Sequence, residues 1–442
     1  MKTNESPNAS RRTFIRNSGL AASGLMLPSL ELGAMADVFQ DRKLRLALVG
    51  CGGRGTGAAN QALEADPQVE LVAMADLFED RVASSYGSLM EKYQGSGQMN
   101  VPEANRFAGF DGFRKATDLA DVVILATPPG FRPYHFAYAI EQGKHVFMEK
   151  PLATDAPGIR KVLEMARVAD QKKLNVVVGL QRRYQVNYLK TLEQLRAGAI
   201  GTIRSGQVYW NNDGVWVRPR EAGQTELEYQ MRNWYYFNWV CGDHILEQHI
   251  HNIDVANWFI GEYPASAQGM GGRQVRTGPD HGEIFDHHFV EYTYPGGAVV
   301  ASQCRHQPNT MSRVGEMFQG TKGAVETNDA GVARLLDLAG NETATISNPE
   351  GHNPYQEEHN RLFASIRAGG QINDAYHGAY STLTAIMGRM ATYSGQVVTW
   401  EQALNSNLQI MPESVDWNTV PPSLPDAAGK YAIPTPGVTQ AF

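Results

Sequence analysis

The chain has 442 residues, 42% of them hydrophobic and 19% charged, with a formal charge of −7. This is the balance of a globular protein long enough for two domains, because single cores stop growing near ~250–300 residues. It excludes a disordered chain. With no long basic tract, it also leaves no stripe that would track nucleic-acid phosphates.

The first segment is a targeting element rather than a structural one. SRRTFIRNSGLAASGLMLPSLELGAMA places Arg11 and Arg12 ahead of Phe14, Ile15 and Arg16, followed by a weakly apolar run. Ala34-Met35-Ala36 supplies a small-x-small cleavage site. The pattern is similar to a twin-arginine export signal, and its apolar run is too short and too rich in Gly and Ser to span a bilayer. Residues 1–36 are expected to be removed, leaving a periplasmic or otherwise exported protein with no membrane span. That route carries folded proteins, which suits a chain that takes up a cofactor before export. Cys51, Cys241 and Cys304 lie far apart and form neither a disulfide framework nor a CxxC clip.

Residues 44–49, LRLALV, read as a buried strand ending directly in GCGGRGTG, and AANQALEA continues as a helix. Gly50, Gly52 and Gly55 fit the spacing G-x-G-x-x-G, with Gly53 and Arg54 in the same turn. A helix N-terminus there offers unpaired N–H groups to a pyrophosphate. The next strand, VELVAMAD, closes on Asp76 about twenty residues on, where a carboxylate accepts ribose hydroxyls and repels an extra phosphate. Leu77 and Phe78 follow, and the first basic residue is Arg81. The pattern favours NAD over NADP.

Further strands are predicted at 121–129, 144–153 and 174–184, with helices between them, as in a parallel sheet covered on both faces. Ligands of such sheets lie beyond the carboxyl ends of the strands. Thr127, Pro128, Glu149, Lys150, Gln181 and Arg182 occupy those ends, and Pro151 holds Lys150 extended. A Rossmann domain is predicted over 37–184. Residues 185–400 form a second, substrate-binding domain. Residues 401–442, rich in proline beyond 411, form an extended arm.

GDHILEQHIHNIDVANW, residues 242–258, crowds three histidines and three carboxylates into one helical run. At about 100° per residue His244, Glu247, His251 and Asp254 fall within roughly 80° of one another. A proton relay explains this stripe: His251 as general base, Glu247 one turn earlier orienting its ring, and Lys150 stabilising a developing alkoxide. The same stripe would suit Zn²⁺ or Mn²⁺ held by His244, Glu247 and His251. The H-E-x-x-H spacing is absent, however, and hydride chemistry needs no metal, so none is expected. His249, on the other side, is read as a packed histidine. His287 and His288 point to opposite faces of a strand, with His287 the candidate for the pocket. Residues 228–243 concentrate Trp234, Tyr235, Tyr236, Phe237 and Trp239, which suit a sugar-facing wall and core packing equally. Arg232 and Arg305 suit substrate binding or ordinary salt bridges.

GCGGRG, the strand ending in Asp76, ATPP with His135 downstream, GKHVFMEKPLA, GLQRRY, the helix with His251-x-x-Asp254 and FDHHFVEYTYPGG together resemble one family. It is the glucose–fructose oxidoreductase/inositol dehydrogenase (Gfo/Idh/MocA) family, and the likeness covers most of residues 42–400. It implies an α/β fold, with a Rossmann parallel sheet followed by an α+β domain built on a large, open, mostly antiparallel sheet. It further implies hydride exchange between NAD and a sugar or polyol, and homo-oligomers formed through the open sheet. The family's catalytic aspartate and histidine align with Glu247 and His251, and its intervening glycine is His249 here. Arg182, Tyr184, Trp234, His244, Asp254 and His287 are the candidate substrate residues. Three functions fit: an exported oxidoreductase acting on a sugar, polyol or glycoside; a glycosidase working through transient C3 oxidation and elimination; and a non-catalytic sugar-binding or sensor protein.

Overall fold

The computed structural model describes residues 42–442; the stretch expected to be an export signal, with its expected cleavage site, lies outside them. Strands β1 (Leu44–Val49), β2 (Val69–Asp76), β3 (Arg106–Ala108), β4 (Val122–Leu125), β5 (His145–Met148) and β6 (Val176–Val178) form one parallel sheet in the order β3-β2-β1-β4-β5-β6. Every residue of β4, β5 and β6 is buried, as befits strands covered by helices on both faces. The order reverses between β1 and β4, which opens a crevice at their carboxyl ends. The strands are shorter than their sequence pattern. β4 stops before Pro128 and Pro129, which lack the N–H a ladder needs, and Gln181–Tyr184 coils into a 3₁₀ turn after β6.

The second sheet has nine strands in the order β14-β13-β12-β11-β7-β10-β9-β8-β15. They are β7 (Ile203–Asn212), β8 (Ser266–Gly272), β9 (His287–Thr293), β10 (Val299–His306), β11 (Arg313–Gly320), β12 (Gly323–Asn328), β13 (Val332–Asp337), β14 (Glu342–Ser347) and β15 (Val398–Thr399). Only β7 and β10 pair in parallel. Burial alternates along β9 and β10, the mark of a sheet with one packed face and one open face. Helices Ile250–Ile260 and Ala375–Ser394 cover the packed face. Met270 and Phe289, register partners, lie exposed on the other.

Two later segments return to the first sheet. Helix Pro354–Arg367 lays Leu362, Phe363 and Ile366 into the core beneath β1 and β2. Gln356 Nε2 donates to the Gln61 carbonyl at 2.9 Å, and Arg367 Nε to Asp66 at 2.7 Å. After helix Trp400–Asn405 the chain runs without regular structure to Phe442, burying Met411 and Tyr431 against the aromatic residues at 229–239.

The seam between the sheets is built of buried ion pairs, and these absorb three residues expected at the substrate. Arg182 is bonded to Glu316, which also accepts from Tyr188 Oη at 2.9 Å and Asn252 Nδ2 at 2.7 Å. Asp254 takes a two-pronged grip from Arg183, with both bonds 2.8 Å, and a third bond from Ser381 at 2.7 Å. Tyr184 donates to Asp374. Arg182, Tyr184 and Asp254 are therefore fasteners, because desolvated charges and hydroxyls are held by partners inside the protein. Arg182→Met strands the Glu316 carboxylate without a counter-charge. It is expected to cost about 3–5 kcal/mol in denaturant unfolding, and a loss below about 1 kcal/mol would show the pair to be dispensable.

Candidate active site

Two glycines make the turn after β1 possible. Gly50 sits at φ +98°, and a Cβ there would lie 2.5 Å from the Ala126 carbonyl carbon. A Cβ on Gly55 would lie 1.8 Å from the Gly50 carbonyl oxygen. Gly52 and Gly53 differ: a Cβ on either meets no protein atom within 4 Å, so they face open space at the start of helix Gly53–Ala65. No side chain caps that helix, and its first N–H groups are left for a ligand.

This turn floors a cleft of about 490 Å³ lined by Gly50, Gly52, Gly53, Arg54, Gly55, Asp76, Thr127 and Pro128. Asp76 is fixed by the backbone N–H groups of Cys51 (2.7 Å) and Phe78 (3.1 Å). Burial pushes its carboxyl up, and these N–H groups offset part of the rise. A cradle open where a Cβ would protrude, a free helix N-terminus and a fixed carboxylate fit an NAD dinucleotide, with phosphates at Gly52–Gly53 and ribose hydroxyls at Asp76.

The cleft's other walls come from segments far apart in the chain. Phe78, Phe110, Phe113, Phe131 and His135 come from the first unit, and Trp216, Arg218, Arg232 and Trp234 from the second. Arg232 crosses to Asp80 at 3.2 Å and lies 3.9 Å over the Phe78 ring. Burial, with Arg132 and Arg114 adding, pushes His135 down to about 3. The neutral ring stacks on Phe113 at 4.0 Å and meets Thr127 Oγ1 at 3.1 Å. Arg132, itself buried, donates to the carbonyls of Leu125 (2.6 Å) and Thr127 (2.5 Å) and so sets the loop after β4. Of the aromatic run, Trp234 reaches the cleft, while Tyr235, Tyr236, Phe237 and Trp239 are core.

Beyond the end of β5, Lys150 Nζ donates to Glu247 twice, at 3.0 Å to Oε1 and at 2.5 Å to the backbone carbonyl. Glu247 was expected to orient His251, and it does not. The helix breaks after it, into His244–Glu247 and Ile250–Ile260, so the four-residue spacing no longer stacks the two side chains. His251 instead lies on Trp210, ring centroids 5.8 Å apart, with Nδ1 buried and without a hydrogen-bond partner. Burial first, and then the Lys150 and Arg182 cations, hold its pKa well below the ordinary histidine range.

Other expected residues fall elsewhere. Glu149 does not line the cleft; it accepts from Arg54 Nε at 2.5 Å and steadies that cleft residue. The helix break turns His244 into the core, where its Nδ1 meets Asp243 at 2.8 Å. His287 stands on the open sheet face bonded to Asp286 at 2.7 Å, because the strand's alternation sends His288 inward instead. His249 is packed as expected, its Nε2 2.7 Å from Ser302 Oγ. Arg305 donates to the Met311 carbonyl at 2.8 Å.

Residues 44–180 match the model of the oxidoreductase family with an NAD-binding Rossmann fold, and residues 188–326 that of the GFO/IDH/MocA C-terminal domain. The chain belongs to the Gfo/Idh/MocA oxidoreductase family. Among curated relatives, inositol 2-dehydrogenase of Rubrobacter xylanophilus is 29% identical over 222 residues, 49% of this chain and 55% of that protein. The 2,7-anhydro-N-acetylneuraminate hydratase of Escherichia coli is 25% identical over 227 residues, 51% and 56% of the two chains. The chain thus spans about half the length of the curated relatives it matches. The fold is similar to that of aldose-aldose oxidoreductase from Caulobacter crescentus complexed with glycerol, at TM-score 0.64 and 20% identity over 81% of this chain and 100% of that one. It is equally similar to levoglucosan dehydrogenase complexed with NADH and levoglucosan, at TM-score 0.64 and 18% identity over 82% and 100%.

Gly52 separates binding from folding. Its φ is −72°, and its Cβ direction is empty, so Gly52→Val is expected to keep the parent melting temperature. NAD affinity, read by calorimetry, should fall at least about tenfold, or ~1.4 kcal/mol. Unchanged affinity would remove the phosphates from this turn.

Proposed function

We propose that the protein is an exported, NAD-dependent oxidoreductase that moves a hydride between a hydroxyl-bearing carbon of a sugar, polyol or glycoside and a tightly held nicotinamide. One observation carries the reading. The Lys150–Glu247 ion pair stands beyond the carboxyl end of β5, and His251, in the helix that follows Glu247, keeps a buried nitrogen without a hydrogen-bond partner. Bound NAD supplies the hydride acceptor. The hydroxyl proton passes to His251, the Lys150 ammonium donates to the reacting oxygen and offsets its growing negative charge, and Glu247 holds that ammonium in place. A purely sugar-binding or sensor protein has no use for this costly arrangement of buried charge.

Export leaves the protein without a free NAD pool, so the cofactor is retained through turnover. The Arg232–Asp80 bridge supports this, as does Trp417 of the C-terminal arm, which backs Phe78 and Phe110 with centroids at 6.2 and 5.1 Å. The open face around Met270 and Phe289, 72% and 39% exposed, supports homo-oligomers formed through the second sheet. A second reading, glycosidase action by transient C3 oxidation, elimination and hydride return, is favoured by the hydratase relative, whose named activity has no net redox change.

A panel of monosaccharides, polyols and aryl glycosides, followed for both nicotinamide reduction and aglycone release, separates the two. Reduction without release supports the oxidoreductase, and release without net reduction supports the glycosidase. Purified protein is expected to yield nicotinamide on denaturation; its absence would count against a retained cofactor. Lys150→Ala should lower kcat about 10²–10³-fold, and unchanged turnover would end its assigned role. Because the folded pKa of His251 is depressed, its basic form persists as pH falls. The acid limb of kcat/KM should therefore lie below the ordinary histidine pKa of about 6.5, and a limb at that value would mean a different base.

A further inference from the structure

Behind the Lys150–Glu247 pair lies a second titratable cluster that the proposed reaction does not use. The side chains of Asp243, His244 and His288 are all 0% exposed. Asp243 opens the short helix that ends in Glu247 and holds φ +75°, a strained value for a residue with a Cβ. His288 projects inward from β9. One potential ligand atom from each residue lies within 4.8 Å of the other two.

The Thr392 hydroxyl lies 3.1 Å from the Arg389 carbonyl and 2.9 Å from His288 Nδ1; when its proton goes to the carbonyl, the same oxygen accepts from His288 Nδ1–H. Neutral His288 then carries its lone pair on Nε2. That atom faces Asp243 Oδ2 at 3.3 Å without forming a hydrogen bond. An imidazole lone pair facing an anionic oxygen in a dry interior is repelled unless a cation sits between them. His244 differs: its Nδ1 is hydrogen-bonded to Asp243 Oδ1 at 2.8 Å, and its Nε2 is buried without a hydrogen-bond partner. The His306 ring lies beside that of His244, centroids 4.5 Å apart and tilted by 31°, and neither of its nitrogens is hydrogen-bonded, so it offers a further ligand atom. Asp243 Oδ2 also accepts from Phe285 N at 3.0 Å and Tyr393 Oη at 2.5 Å, and Oδ1 from His244 N at 2.5 Å, the outer support that metal-binding carboxylates receive.

We infer that Asp243, His244 and His288 form a buried site for a divalent transition-metal ion, Zn²⁺ by the chemistry of its donors. Imidazole nitrogen and carboxylate oxygen suit that ion at about 2.0–2.2 Å. Tetrahedral ligands then stand roughly 3.4 Å apart, so small side-chain rotations close the group around it. The site is distinct from the His244/Glu247/His251 set weighed from sequence, because the helix break carries those three apart. It ties the segment bearing Glu247 to β9 and, through Thr392 and Tyr393, to helix Ala375–Ser394. The inference stands independently of the reaction.

The test uses the full chain stripped with a chelator, dialysed against Zn²⁺, and examined by elemental mass spectrometry and thermal unfolding. The wild type is expected to retain a single zinc ion and to melt at a higher temperature with it than without. His288→Gln should lose the ion while still binding NAD. A wild type that neither retains zinc nor changes its melting temperature overturns the inference, as does a His288→Gln protein with the full complement. Should that variant not fold, anomalous scattering at the zinc edge from wild-type crystals decides the matter. A peak among Asp243, His244 and His288 supports the site, and a peak elsewhere or none overturns it.

Discussion

Charge buried at the seam between the two sheets is the constraint on which the site depends. Lys150, Arg54, Arg182 and Arg183 stand at the carboxyl edge of the first sheet. Glu247, Glu358, Glu316 and Asp254 face them from the second unit or from the returning helix. A desolvated cation without its partner costs several kcal/mol, so each pair fixes the position of one unit against the other. The proposed reacting centre lies within this row. Its ammonium is held by a carboxylate already in place, and its imidazole is kept neutral by burial and neighbouring cations. Electrostatic organisation of this kind is present before any substrate arrives, which is the condition under which it lowers a barrier rather than merely tightening binding.

The nucleotide cleft has a local floor and a borrowed roof. Close contact between Gly55 and the Gly50 carbonyl depends on a few consecutive residues, and it would form wherever such a turn joins a strand to a helix. The roof is assembled from Trp216, Arg232 and Trp234, with Trp417 behind it. This division explains how one dinucleotide floor can be kept while its enclosure is shaped by distant segments. Arg232 and Asp80 are 152 residues apart, and only the meeting of the two units makes them a clasp.

The histidine-rich segment shows where periodicity misleads. A continuous helix over 244–260 would have put four polar side chains on one stripe. The observed break at Gln248 and His249 sends His244 toward β9 and β10, Glu247 toward Lys150, His251 toward Trp210 and Asp254 toward Arg183. Each goes to the partner its burial requires, and the i,i+4 relation between Glu247 and His251 disappears. The aromatic run beside it divides for the same reason: Trp234 stays at the cleft while its neighbours fill the core.

The amino-acid sequence by itself determined the strand–glycine–helix turn, the carboxylate closing β2 and the parallel sheet. It also placed Lys150 at a strand end and His251 in a helix. All of these rest on steric and hydrophobic patterns spanning a few residues. Tertiary structure alone decided which carboxylate serves which cation, which histidines are buried, and which aromatic rings enclose the cofactor cleft. Those outcomes depend on desolvation and on partners such as Arg182 and Glu316, which are 134 positions apart. A charge's environment is made by whatever packs around it, and no local pattern records that.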